Sequence, residues 1–162
     1  MTLAFLVALL ACNPGAATPS DPFDSLQPYL IGIGVANAET SAKWYEEVLG
    51  FKTFRRMDLP DYGLKIAFLE RGSFRLELVE KKGAAALSHY APDLQDDMVN
   101  GLKKYAFLIR DLDAAAAKLK AKNVRFVVEP FDDQAMRLRS FIVADPDGNL
   151  VQFIQELDGA SK

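Results

Sequence analysis

Two stretches of the chain repeat apolar residues at the i, i+3, i+4, i+7 spacing that gathers them on one face of a helix. In the first, Ala38, Ser41, Ala42, Tyr45, Val48 and Leu49 form the stripe. Asn37 carries the short acceptor of an N-cap, Glu39 suits the positive end of the helix dipole, and Gly50 suits a left-handed stop. In the second, Leu112, Ala115, Ala116 and Leu119 form the stripe, with Asp111 as cap, Asp113 in the first turn and Asn123 as stop. Ala38 and Leu112, Ser41 and Ala115, and Tyr45 and Leu119 are each 74 residues apart.

Strand patterns surround each helix in the same order. One strand ending at Val35 precedes the first helix and one ending at Ile109 precedes the second, again 74 residues apart. Residues 51–59, 62–71 and 73–80 read as three strands after the first helix, and 124–131, 135–144 and 149–156 as three after the second. Arg71-Gly72 and Asp145-Pro146-Asp147-Gly148 supply hairpin turns. The pattern is βαβββ written twice. It predicts an α+β fold of two tandem modules forming a cupped, mostly antiparallel sheet with helices on its outer face. Module one covers 29–80, a linker 81–101, module two 102–156 and a short tail 157–162.

Alternation along the strands separates a helix-facing side from a far side. Ile31, Ile33 and Val35 pack on the helix, which leaves Leu30, Gly32 and Gly34 on the far side. Phe74, Leu76 and Leu78 face the helix, opposite Arg75 and Glu77; Tyr105, Phe107 and Ile109 do so opposite Lys104, Ala106 and Leu108. A far face that mixes glycines, a few charges and apolar residues suits the lining of a small-molecule cup. An exposed strand would gain nothing from Gly32 and Gly34.

Composition narrows the functions. The chain has 162 residues, a single Cys and a single His, and a net charge of -3. No internal disulfide and no multi-His metal site within one chain is available. The charge balance, with no basic patch, argues against nucleic acid as partner.

Residues 3–11 are continuously apolar, too short to span a bilayer, and end in Leu9-Leu10-Ala11-Cys12. This segment resembles the lipobox of bacterial lipoproteins, in which the Cys becomes the lipid-modified first residue. Four of the eight prolines follow between Asn13 and Pro28, a tether composition. No Lys or Arg precedes Lys43, a departure from the basic start such signals carry. The resemblance implies a signal peptide 1–11, a tether 12–28, lipidation of Cys12 and a place on the bacterial cell envelope.

The stretches Gly32-Ile33-Gly34-Val35-Ala36-Asn37, Ser41-Ala42-Lys43-Trp44-Tyr45 and Leu49-Gly50-Phe51 resemble the first module of the vicinal oxygen chelate superfamily, which includes glyoxalase I, bleomycin resistance proteins and extradiol dioxygenases. Asp145-Pro146-Asp147-Gly148-Asn149 with Val151-Gln152-Phe153 resembles the last hairpin of the second module. In that superfamily's metal enzymes each module gives one ligand from its first strand and one from its fourth. The matching positions here are Leu30, Glu77, Lys104 and Gln152. Leu30 has no donor atom and a protonated Lys104 repels a cation. Glu77 and Gln152 alone are too few for a tight site. No divalent metal and no other cofactor is therefore expected.

The remaining candidates are weaker. His89 reads as a surface or helix-end side chain, and Asp93, Asp96 and Asp97 as a solvated face. Arg137 and Arg139 alternate on one predicted strand and would form an anion clamp at the mouth of the cup. Two functions follow. One is a tethered, metal-free protein that holds a small polar or anionic molecule against Gly32, Gly34, Arg75, Glu77, Lys104, Gln152, Arg137 and Arg139. The other is a glyoxalase-like lyase or isomerase with Glu77 as general base. A Glu beside a Lys makes a poor base near neutrality, and export removes the chain from cytosolic glutathione; both favour binding. The Lys104 ammonium is expected within contact range of the Glu77 carboxylate. A homodimer, with modules paired within one chain or exchanged between two, stays open.

Overall fold

The computed structural model describes Phe23, residues 27–93 and residues 100–157. The signal-peptide reading, Cys12 and most of the tether lie outside the described residues, as do Asp96 and Asp97. The order is β1 (Ile31–Val35), α1 (Ala38–Leu49), β2 (Lys52–Leu59), β3 (Leu64–Arg71), β4 (Phe74–Lys81), α2 (Leu87–Tyr90), β5 (Lys104–Leu108), α3 (Leu112–Ala121), β6 (Arg125–Asp133), β7 (Leu138–Ala144) and β8 (Leu150–Glu156). The strands make two separate four-stranded sheets, ordered β1-β4-β3-β2 and β5-β8-β7-β6. In each, the first strand pairs parallel with the fourth, and the other pairings are antiparallel. The doubled βαβββ order is thus present, as two matching sheets rather than one.

Both helices start and stop where the sequence places their signals. The Asn37 side chain accepts from the Thr40 amide at 2.8 Å, and that of Asp111 from the Ala114 amide at 2.9 Å. Gly50 ends α1 with a φ of 72°, and Asn123 follows α3 in the same left-handed region at 56°. The stripes bury Ala42, Tyr45 and Leu49 from α1, and Leu112, Ala116 and Leu119 from α3.

Strand boundaries shift by one to three residues from expectation, most at the start of β7. Residues 134–137 form a turn, so β7 begins only at Leu138. The Asp133 side chain accepts from the Met136 amide at 2.9 Å, and Arg137 takes a φ of 53°. A carboxylate bonded to a backbone amide a few residues on closes a local turn that competes with the ladder.

A single core joins the modules on the helix side. Aromatic rings carry the joint: Phe74 lies 4.9 Å from Phe107 and Phe51 lies 6.1 Å from Phe107, between ring centroids. Polar groups finish it. The Tyr45 hydroxyl donates to Asp145 Oδ2 at 2.8 Å and shares a hydrogen bond with the Tyr105 hydroxyl. Tyr45 has one proton and gives it to Asp145, so Tyr105 is the donor in that second bond. Asp145 also accepts from the amides of Asp147 and Asn149 and from the Asn149 side chain. Asp147 in turn reaches α1, accepting from the Ala36 amide at 2.7 Å and the Ser41 hydroxyl at 2.6 Å. The turn between β7 and β8 of module two is therefore clamped onto the β1–α1 junction of module one.

Candidate functional site

The far side of each sheet can be read row by row from the strand register. In the first sheet, Gly32, Glu77 and Phe68 share a row, with Gly34, Val79 and Ile66 two positions along. A side chain at Gly32 would bring its Cβ to 3.3 Å from Glu77 Oε2, so the carboxylate lies across the bare glycine. Nothing stands within 4 Å of a Cβ at Gly34. The Arg75 guanidinium lies over two rings, 5.0 Å from the Tyr29 centroid and 5.3 Å from that of Phe54, and reaches Glu70 at 3.5 Å. Phe54 stands at the register shift in β2, where an extra residue turns its ring toward Phe68.

In the second sheet, Lys104, Leu150, Ala144 and Arg125 make one row, and Ala106, Gln152 and Ile142 make the next of the same side. Gln152 is held: its Nε2 donates to Ser140 Oγ at 2.8 Å, and that hydroxyl donates to the Phe153 carbonyl at 2.9 Å. The serine proton is committed to the carbonyl, so Gln152 must offer its nitrogen, which leaves Oε1 as a free-standing acceptor. Of these rows, Lys104, Leu150, Arg125 and Ile142 border a cavity of about 660 Å³, which Lys103 and Val127 also line. That volume lies inside the range of small-molecule sites. Among the described residues, three basic side chains and no acidic one line it.

The eight expected binding residues are divided between the two sheets and the turn before β7. Gly32, Gly34, Arg75 and Glu77 lie on the first sheet, and Lys104 and Gln152 on the far side of the second. Lys104 and Glu77 make no ion pair, against the expected contact. The modules are joined by helix-side residues. The anion clamp of Arg137 and Arg139 is also corrected. Arg137 is a turn residue, and Arg139 shares a face with Phe141, toward the helix. Its guanidinium bonds both oxygens of Asp113 at 2.9 and 3.0 Å and Asp132 at 2.8 Å. Those bonds hold Arg139 protonated well above the usual arginine range and lower the Asp113 carboxyl.

Sequence reasoning missed Arg125 and Ser140. Arg125 opens β6 opposite Ala144, which puts it in the Lys104 row only once β5, β8, β7 and β6 are paired in that order. Ser140 was legible, since it alternates with Ile142 in a strand opposite Gln152. The metal-ligand positions of the family contain Leu30, Glu77, Lys104 and Gln152, a set in which one member has no donor and another is cationic. Among the described residues, no three His, Cys, Asp or Glu side chains converge on a common point.

Comparison with known proteins agrees with the fold. The human mitochondrial methylmalonyl-CoA epimerase is 27% identical over 99 residues, 61% of this chain, which spans about half (55%) of that relative's length. The lactoylglutathione lyase of Neisseria meningitidis is 29% identical over 127 residues, covering 78% of this chain and 88% of the relative. A glyoxalase family protein from Enterococcus faecalis superposes with a TM-score of 0.68 at 21% identity, over 79% of this chain and 96% of the other. Residues 27–153 match the family model of the Glyoxalase/Bleomycin resistance protein/Dioxygenase superfamily. With two βαβββ modules, their matching sheets and this alignment in hand, the chain belongs to that superfamily.

Proposed function

We propose that this protein binds a small organic anion, without a metal, against the far face of its second sheet. The observation that carries the reading is the cavity of about 660 Å³ whose charged lining, among the described residues, is Lys103, Lys104 and Arg125. Lys104 and Arg125 hold no ion-pair partner among the described residues. Gln152, one row further on the same side of the sheet, presents an oriented amide, and the exposed Leu102 and Val127 give the cavity apolar surface for a carbon skeleton or, in a homodimer, a second copy. Cationic side chains around partly apolar walls favour a carboxylate or phosphate on a small organic body. Lys104 stands where the family's metal enzymes have a ligand, so its ammonium supplies positive charge in the region an ion would occupy. The lipid tether on Cys12 belongs to this reading and sets the binding at a bacterial envelope.

The second reading is a lyase or isomerase, as the names of the two relatives suggest. Its support is Glu77, a carboxylate laid over Gly32 with no basic partner and in reach of a ligand on the first sheet. Without metal, such an enzyme would rest on that single base.

Mass spectrometry of small molecules released from the purified protein separates the two. Binding predicts an organic anion that co-purifies with the wild type and is lost from Lys104→Ala/Arg125→Ala. An anion retained by that variant, or stoichiometric nickel, zinc or iron in the wild type, overturns the proposal.

A further inference from the structure

A second cavity lies between the modules, on the helix side and away from the proposed cup. It measures about 310 Å³ and is walled by Phe51, Phe74, Phe107, Ala115 and Leu119, with contributions from both helices and both sheets. It shares no lining residue with the larger cavity. Among the described residues, its only charged lining side chains are those of Arg71 and Lys118. Neither makes an ion pair among the described residues. The Arg71 guanidinium lies where Gly50 ends α1, 3.4 Å from the point a Cβ there would occupy.

We propose that this inter-module cavity binds a medium-chain aliphatic carboxylate, with the chain among the rings and the head on Arg71 and Lys118. The chemistry follows from the lining. Apolar walls reject a ligand that is polar throughout, and two cations without an ion-pair partner ask for a single anionic head. Size sets the length. At about 30 Å³ per water-sized unit the cavity holds about ten non-hydrogen atoms, which is the size of octanoate. Because module one supplies Phe51 and Phe74 and module two supplies Phe107 and Leu119, a bound chain contacts both halves at once. The proposal is independent of what the cup holds.

Calorimetric titration of the full chain with hexanoate, octanoate and octan-1-ol tests it. Affinity should rise about fourfold per added methylene, so about fifteenfold from hexanoate to octanoate. Octan-1-ol should bind more weakly than octanoate. Ala115→Leu adds three carbons to the cavity from a half-buried helix position with a good helix former, and should weaken octanoate binding. Arg71→Gln/Lys118→Gln changes only surface side chains and should reduce octanoate to the level of the alcohol. Octanoate that fails to bind the wild type overturns the proposal, as does binding unchanged in Arg71→Gln/Lys118→Gln. Binding lost instead in Lys104→Ala/Arg125→Ala would assign the carboxylate to the cup and overturn it too. Should Ala115→Leu fail to fold, the two-charge variant still decides.

Discussion

Replacing Tyr45 by Phe removes one hydroxyl from the joint between modules and nothing from the ring packing. Tyr45 is fully buried, and its ring keeps its edge contacts with Trp44 and Phe51. The Asp145 carboxylate keeps its three other donors, from Asp147 and Asn149. The Tyr105 hydroxyl, 6% exposed as a residue, loses its acceptor. A buried donor left without a partner costs about 1–3 kcal/mol, which in a chain of this size lowers Tm by several degrees. Adding Tyr105→Phe removes the stranded group, so the double variant should fall short of the summed losses by about 0.5–3 kcal/mol. The pH dependence has a definite sign. Burial, then the neighbouring Tyr105 and Asp145, push the Tyr45 hydroxyl far above the usual tyrosine range; burial also raises Tyr105. The folded state therefore keeps a proton that the unfolded chain releases above about pH 10. That stability is complete below pH 10 and is lost as pH rises beyond it. The gap between wild type and Tyr45→Phe should then close by about 1.4 kcal/mol per pH unit above 10. Urea unfolding at pH 7 and at several values above 10 measures all of this. A loss under about 0.5 kcal/mol at pH 7, additive energies, or a gap that does not narrow above pH 10 would refute the clasp.

Leu119→Ala, in the middle of the buried α3 stripe, should cost about 2–5 kcal/mol by urea unfolding, and a loss under about 1 kcal/mol would mean α3 contributes little to the core. Lys104→Met and Glu77→Leu, which the structure leaves unpaired, should add within about 0.5 kcal/mol in a double-mutant cycle; a larger coupling would show that the two charges meet in solution. Cys12→Ala should leave unprocessed chain and release the protein from membranes on cell fractionation; a membrane-bound, normally processed variant would contradict the lipid tether.

The fold was legible because local signals and the global repeat agree. Asn37, Asp111, Gly50 and Asn123 mark helix ends by their own side-chain or backbone chemistry, and the constant offset ties the two modules together. What the sequence could not carry was the relation between modules. Nothing in the alternation of β1 or β5 says that Tyr45 bonds Tyr105, or that Asp147 reaches Ser41 across 106 positions. The site suffered for the same reason. Placing Lys104 against Glu77 needed an arrangement of modules, whereas placing Gly32 under Glu77 needed only the pleat of two paired strands. The arginine clamp failed on local grounds: two acidic residues, Asp113 and Asp132, lie close enough in the fold to occupy Arg139. Charge on a strand shows which side chains carry it, and only the tertiary structure shows which are already neutralised.

On the proposed reading, Leu30 and Lys104 stand where a metal centre would have ligands, and cationic side chains receive an anion in place of the ion. The direct measurement is the metal content of purified full-length protein after incubation with excess zinc and nickel and removal of unbound ions, read by plasma mass spectrometry. The account predicts a content far below one ion per chain for the wild type, and a stoichiometric content once Leu30→His, Lys104→His and Gln152→Glu restore four ligands. Stoichiometric metal in the wild type, or none in a folded triple variant, would contradict it.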